Sequence, residues 1–322
     1  MSDSEIPRLI GLDWGTSSLR AYLLGEGGRV LDSRARPWGI QHVPDGDFAR
    51  AFAVVSGDWR IRWPGLPALA AGMIGSAQGW QEVPYVACPA DAARLVGGLR
   101  RIDSGDGGCL HLVPGVLDAG ALPNVLRGEE TQVFGALRLF PELAADALLV
   151  LPGSHSKWTA VEDNAIRHFS TYMTGELFAV LRDHSILGRP ARAQGHRPSP
   201  QAFVRGLELA REGAVAGRLF STRSLVLTGR LDAGESLDYL SGLLIGEELR
   251  CALDGLGGAC PPLVLIGDGA LCERYREALG HFGVDRVRIV EEAASAGLWR
   301  IAEAAGLLAA TPDIPTRSAN HV

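Results

Sequence analysis

An α/β fold of two related lobes is predicted by three features of the sequence. Hydrophobic runs of strand length end in glycine turns at LIGLDWG, ALLVLPG and LVLIGDG. The first two runs are each followed by a polar turn, a second strand, a hairpin and a third strand, so the same unit is built twice. Longer segments with helical character, such as TQVFGALRLF and LDYLSGLLIGEELRCAL, fall between and after these strands, and strands alternating with helices mark an α/β chain.

Taken in order, RLIGLDWG is a buried strand with Asp13 near its end, and GTSS (15–18) is the turn that follows. SLRAYLL alternates as a second strand, GEGG is a hairpin, and RVLDSRA is a third strand. LPALAA is an apolar strand leading into GMIGS (72–76), where two glycines allow the backbone to come close to a neighbour. A loop with Pro123 and Asn124 carries RGEE (127–130) to the start of a helix. ALLVLPG then opens the second unit, with GSHS (153–156) as its turn, KWTAVE and AIRHFSTYM as strands joined at Asp163–Asn164, and GELFAVLRDH as a helix. SLVLTGRLDAGES (224–236) reads as a strand and turn, and LDYLSGLLIGEELRCAL as a helix packing between lobes, with Gly242 and Gly246 permitting close contact. LVLIGDGALCERYREAL (263–279) is a strand, a turn and a helix, and the final helix, around 292–308, is a candidate for packing back onto the first lobe. The expected boundary lies near 140–147, giving lobes of 1–145 and 146–322. The tail TPDIPTRSANHV is expected to be disordered.

Composition narrows the function. The 322 residues are enough for two domains, and 47% hydrophobic content is globular. A net charge of −6 and the lack of a basic run argue against a nucleic-acid partner. Cys88, Cys109, Cys251, Cys260 and Cys272 show no Cys-x-x-Cys spacing and follow no signal peptide, so reduced thiols in the cytoplasm are expected. No apolar run is long enough for a membrane helix. The eight histidines have no ligand spacing, and no structural zinc site is expected. A homo-oligomer is among the readings left open.

The repeated turns carry the chemistry. Gly15, Thr16, Ser17 and Ser18 in one, and Gly153, Ser154, His155 and Ser156 in the other, offer backbone N–H groups and hydroxyls that suit phosphate oxygens. Lys157, the only lysine of a chain whose other cations are arginines, follows the second turn. A compact ammonium suits a phosphate in a tight turn, and the bland alternative is a solvated hairpin tip. Asp13 is placed to hold Mg²⁺ directly or through water. Neither turn is a P-loop, and GDGALC (267–272) misses the dinucleotide fingerprint at its last place.

LIGLDWGTSSLRAYLL resembles the first phosphate motif of the sugar kinase, Hsc70 and actin superfamily, and the doubled strand unit is similar to its ribonuclease-H-like lobes. AGMIGSAQGWQEVPYVACPA, LRGEETQVFGAL, LPGSHSKW and YLSGLLIGEEL, in that order, resemble the 2-dehydro-3-deoxygalactonokinase family over nearly the whole chain. The resemblance implies two actin-like ATPase lobes with a central cleft, a sugar-acid site on the first and a nucleotide site on the second. It implies transfer of the γ-phosphoryl group of ATP, with Mg²⁺, to the 6-hydroxyl of 2-keto-3-deoxygalactonate.

By the same resemblance Glu130 acts on the attacking hydroxyl, with Asp13 second in rank. Gly72, Met73, Ile74, Gly75 and Ser76 form the sugar-acid loop with Arg127 and Glu129 beside it, and Gly267, Asp268 and Gly269 meet the adenosine. Trp80 is expected in the core. One departure is Pro152-Gly153 where many superfamily members have Asp-Gly, so a carboxylate is missing on that side and Lys157, Ser154 and Ser156 are expected to compensate. A kinase for 2-keto-3-deoxygluconate, a hydrolase of the same fold and a nucleotide-dependent regulator or filament former are the competing readings.

Overall fold

The computed structural model describes residues 6–105, 107–256 and 260–309; the tail expected to be disordered lies outside them. Two compact units emerge. The first comprises 1–145, 162–168 and 292–322, and the second 146–161 and 169–291. The second is thus shorter than 146–322, because the hairpin tip 162–168 and the segment from Glu292 onward group with the first.

In the first unit the strands are β1 (Leu9–Trp14), β2 (Leu19–Leu24), β3 (Val30–Arg36), β4 (Ala68–Ala71), β5 (Val86–Ala87), β6 (Arg100–Asp103), β7 (Cys109–Leu112), β8 (Val116–Asp118) and β9 (Asn124–Leu126). The helices are α1 (Phe48–Arg62), α2 (Ala92–Gly97) and α3 (Glu129–Leu139). Asn124, expected in a loop, opens β9. The main sheet has the order β3-β2-β1-β4-β7-β6. β1 runs antiparallel to β2 and parallel to β4, which is parallel to β7. Ile10, Leu12 and Trp14 alternate onto one face, where they form a buried cluster with Phe52, Val55 and Trp59 of α1. Trp80 packs on this cluster beside Phe48 and Phe52, as its bland reading expects. A smaller sheet, β5-β8-β9, delivers the chain to Arg127 and α3.

The second unit begins with β10 (Asp146–Leu151), β11 (Ser156–Glu162) and β12 (Ala165–Tyr172). It continues through α4 (Thr174–His184), α5 (Arg189–Gln194), α6 (Pro200–Arg211), α7 (Val215–Arg218), α8 (Ser221–Leu227) and α9 (Ser236–Asp254). β13 (Leu263–Ile266), α10 (Gly269–His281) and β14 (Val287–Val290) complete it. The sheet order β12-β11-β10-β13-β14, with β10, β13 and β14 parallel, repeats the β3-β2-β1-β4-β7 arrangement of the first unit. Leu148, Val150, Leu263 and Leu265 pack with Phe203 and Leu207 of α6, Ile245 and Leu249 of α9, and Tyr275 and Leu279 of α10.

The strand expected at 224–236 is instead α8, followed by a loop and a short 3₁₀ turn. Its apolar run is too short for periodicity to separate strand from helix, and Leu225 and Val226 pack in a side cluster with Val215, Leu231, Tyr239 and Leu243. Gly242 and Gly246 lie against α6 of their own unit: a Cβ at Gly242 would strike the Phe203 carbonyl, and one at Gly246 would stand 2.6 Å from Ala210 Cβ.

The last helix, α11 (Ala293–Ala304), belongs to the first unit and crosses α3 at glycines on both sides. A Cβ at Gly135 would collide with the Ala293 carbonyl, and one at Gly297 with the Thr131 carbonyl. This crossing fixes where α3 begins, and with it the RGEE turn.

Candidate functional site

In each unit the loops of interest leave the carboxyl ends of adjacent parallel strands, where open α/β sheets carry their ligands. In the first unit Asp13 is paired in register with Ala71, so the GTSS turn and the Gly72 loop start side by side. By alternation Asp13 shares the face of Gly11, whose neighbour is Leu298 of α11. Gly72 has φ of +98°, and a Cβ there would stand 2.7 Å from the Trp14 carbonyl oxygen. A Cβ on Gly128 would in turn stand 3.1 Å from the Gly72 Cα. Backbone contact without side chains thus draws the β1 end, the 72–76 loop and the RGEE turn together.

The loop itself is a 3₁₀ turn over Met73–Gly75, with Gly75 N–H donating to the Gly72 carbonyl and Ser76 N–H to that of Met73. Ile74 and Gly75 are buried. Arg127 is 9% exposed and lies over the Tyr85 ring at 4.3 Å. It donates from one terminal nitrogen to the Val83 carbonyl at 2.7 Å. Its Nε and other terminal nitrogen have no partner, and Ser76 Oγ, also buried, has none.

The two carboxylates of RGEE differ. Glu129 is half-buried and accepts from the Arg127 N–H at 2.8 Å. Glu130 is 0% exposed and folds back onto its own loop, accepting from Gly128 N–H at 2.6 Å and Thr131 Oγ1 at 3.0 Å. Burial first, and then the Glu129 charge, push its carboxyl from 4.5 up to about 7. Glu130 is thus enclosed in this structure, and Glu129 is the more accessible of the two carboxylates. Asp13 is also pushed up, first by burial and then by the Glu129 charge, with Arg20 acting in the opposite sense.

The GTSS turn closes with Gly15 N–H donating to the Ser18 carbonyl at 2.9 Å, and Thr16, Ser17 and Ser18 are exposed. The loop at 39–41 braces it, with Ile40 N–H donating to the Gly15 carbonyl at 3.0 Å.

In the second unit Gly153 and Ser154 border a cavity of about 600 Å³. Phe178, Leu237, Leu244, Ile245 and Leu271 give it apolar walls, and Asp238 and Arg274 are among its polar groups. Arg274 is held by Asp238 at 2.6 Å and Ser241 at 3.1 Å and lies over the Phe203 ring at 4.0 Å. Gly267, Asp268 and Gly269 are not among the lining residues; Asp268 caps α10 by accepting from Leu271 N–H at 3.0 Å.

The three side chains after Ser154 diverge. His155 is exposed and pairs with Glu176 at 2.5 Å. Ser156, expected at a phosphate, is fully buried and donates to Glu248 Oε1 at 2.6 Å. Lys157 is 6% exposed on β11 and donates to Thr171 Oγ1 at 3.0 Å, which removes the solvated hairpin tip as its explanation. Among the described residues no cluster of three or more His, Cys, Asp or Glu side chains stands ready for a metal ion, and no helix is long and apolar enough to cross a membrane.

The model of the 2-keto-3-deoxy-galactonokinase family matches residues 13–301, which takes in every one of these loops. The chain belongs to that family. A 2-dehydro-3-deoxygalactonokinase of Escherichia coli is 34% identical over 92% of this chain and 98% of its own length. A probable 2-dehydro-3-deoxygalactonokinase of Rhizobium meliloti is 36% identical over 91% and 96%. The crystal structure of a putative 2-dehydro-3-deoxygalactonokinase from Sinorhizobium meliloti superposes with a TM-score of 0.84 at 35% identity, covering 92% of this chain and 98% of that one. A more remote likeness, an activator of 2-hydroxyisocaproyl-CoA dehydratase from Clostridium difficile, has a TM-score of 0.50 at 11% identity over 95% and 98% of the two chains and speaks to fold alone. This galactonokinase-family member thus has an α/β architecture in which the strand arrangement of the first unit recurs in the second.

Two groups of this family member escaped the sequence reading. The cavity walls come from α4, α9 and α10, whose sequences signal only amphipathic helices. Glu248 sits inside a quoted motif, YLSGLLIGEEL, but a carboxylate on a core helix face declares itself only once its partners are seen.

Proposed function

We propose that this chain transfers the γ-phosphoryl group of ATP to the 6-hydroxyl of 2-dehydro-3-deoxy-D-galactonate, giving the 6-phosphate and ADP. The observation that carries the reading is Arg127. A buried guanidinium with two unpartnered nitrogens, one of them against Gly75 of the 72–76 loop, costs stability unless an anion completes it, and a sugar-acid carboxylate offers the matching two-pronged acceptor. Met73 and Ile74 shape the loop between Gly72 and Gly75, whose close packing keeps this guanidinium in place.

Phosphoryl transfer runs chiefly on positioning and charge stabilisation. Gly15, Thr16, Ser17 and Ser18 and the second turn's Gly153 and Ser154 supply donors to phosphate oxygens, and Lys157 supplies the cationic charge. A cavity of about 600 Å³ with apolar walls is of a size to take a nucleoside, and the turn at Gly267, Asp268 and Gly269 sets the start of α10 beside it. Glu129 accepts the proton of the 6-hydroxyl as its oxygen bonds the γ-phosphorus and the bond to the bridging oxygen breaks, leaving ADP. Glu130 anchors the loop that carries Glu129. Asp13 and Glu129 repel each other with Arg20 as the opposing charge, a carboxylate environment that fits Mg²⁺, with Asp13 as its protein ligand. When bound, the ion neutralises charge developing on the phosphates. Five free cysteines support a reducing compartment, the cytoplasm.

A coupled ADP-release assay across a panel of 3-deoxy-2-keto aldonates tests the proposal. The galacto acid should give the highest kcat/KM; a higher value with the gluco acid would move the assignment to that substrate, and equal phosphate release without any acid would make the protein a hydrolase.

A further inference from the structure

Glu248 of α9 is 2% exposed and has no cationic partner among the described residues. Its carboxylate receives four donors instead. Ser156 Oγ at 2.6 Å and Trp158 Nε1 at 2.8 Å meet Oε1, while Tyr275 OH at 2.7 Å and Thr174 Oγ1 meet Oε2. These four residues come from three elements: Ser156 and Trp158 from β11, Tyr275 from α10, and Thr174 as the first residue of α4. Thr174 and Tyr275 also line the cavity that Gly153 and Ser154 border. The adjacent Gly175 lies against the Gly153 carbonyl, and Glu176 N–H donates to the Ser154 carbonyl at 3.0 Å.

We infer that Glu248 is a positioning residue for the nucleotide: it fixes the 153–156 turn through Ser156 and ties that turn to the α4 and α10 walls of the cavity. The inference rests on reading this turn and cavity as the nucleotide site. A carboxylate can accept from all four donors at once, whereas any neutral replacement cannot. Trp158 can only donate, so a glutamine at 248 must turn its carbonyl toward Trp158 and Ser156 and its NH₂ toward Thr174 and Tyr275. Both hydroxyls then lose their acceptor on the cavity side, while the Ser156 side is kept. Burial pushes the Glu248 carboxyl up while its four donors pull it down. A simple structural strut would affect stability without distinguishing the two substrates.

The test is steady-state kinetics with each substrate varied, together with calorimetric ATP binding to the full-length protein. Glu248→Gln should raise KM and Kd for ATP at least tenfold, since the loss of even one charge-assisted hydrogen bond is worth about that factor, with KM for the sugar acid changed less than twofold. Tyr275→Phe and Thr174→Val, which each remove a single donor, should raise the same two constants by a smaller factor and keep the protein readable should Glu248→Gln fold poorly. Unchanged ATP constants in these variants, or equal rises for both substrates, would overturn the inference. Absence of ATP binding by the wild-type protein would instead remove the reading on which it rests.

Discussion

Replacing Glu130 by glutamine should change how stability depends on pH. In the folded protein its carboxyl is pushed from 4.5 up to about 7, burial first and the Glu129 charge second. The raised value means that the folded state keeps a proton that the unfolded chain has released, so this contribution is complete below pH 4.5 and is lost as pH rises through about 7. The gap from 4.5 to about 7, at about 1.4 kcal/mol per pH step, corresponds to about 3 kcal/mol. Glutamine keeps an acceptor for Gly128 N–H and carries no ionisable proton. The stability of the wild type minus that of Glu130→Gln should therefore fall by about 3 kcal/mol between pH 4.5 and pH 8. Urea titrations followed by tryptophan fluorescence read the right unit, because six of the seven tryptophans (14, 38, 59, 63, 80 and 299) belong to the first one and only Trp158 to the second. A difference that stays flat across this range would mean that Glu130 is not the enclosed carboxyl described here.

Other outcomes follow from the same geometry. Glu129→Gln should lower kcat about 100-fold or more while ATP binding is retained, and the smaller kcat loss should belong to Glu130→Gln; the reverse order in steady-state assays would return the catalytic role to Glu130. Lys157→Ala should reduce kcat/KM by about 100-fold, and Lys157→Arg should not restore it, since a planar guanidinium must replace an ammonium in a site only 6% exposed; full activity in the Arg variant would refute the assigned role. Arg127→Met should raise KM for the sugar acid at least tenfold and leave KM for ATP within twofold, as measured by varying each substrate. Gly72→Ala should destabilise the first unit by about 1–3 kcal/mol in urea, because its φ of +98° and the Trp14 carbonyl at 2.7 Å both resist a Cβ.

The doubled strand unit was legible because buried strands ending in glycine turns are local signals, and the order β3-β2-β1-β4 recurs as β12-β11-β10-β13. Asp13 and the two turns were legible for the same reason: each sits where a strand stops. The misread segment was 224–236, where a short apolar run carried no period and a side cluster around Tyr239 decided for helix. Side-chain direction was the other loss. Ser154 and Ser156 look alike in sequence, yet Ser154, in the turn, borders the cavity and Ser156, the first residue of β11, points inward to Glu248. Glu129 and Glu130 also part at the start of α3, where Glu130 is fully buried on its own loop and Glu129 is not. The remote partners of Arg127, Val83 and Tyr85, lie more than 40 residues away, beyond any local pattern.

The most direct measurement is a crystal structure of the protein soaked with a non-hydrolysable ATP analogue and 2-dehydro-3-deoxy-D-galactonate. The nucleoside should lie in the cavity between Phe178, Leu244 and Leu271, with phosphate oxygens on the backbone at Gly153 and Ser154 and the acid's carboxylate on the unpartnered nitrogens of Arg127. A nucleotide bound elsewhere, or an acid that leaves Arg127 unpartnered, would contradict this reading.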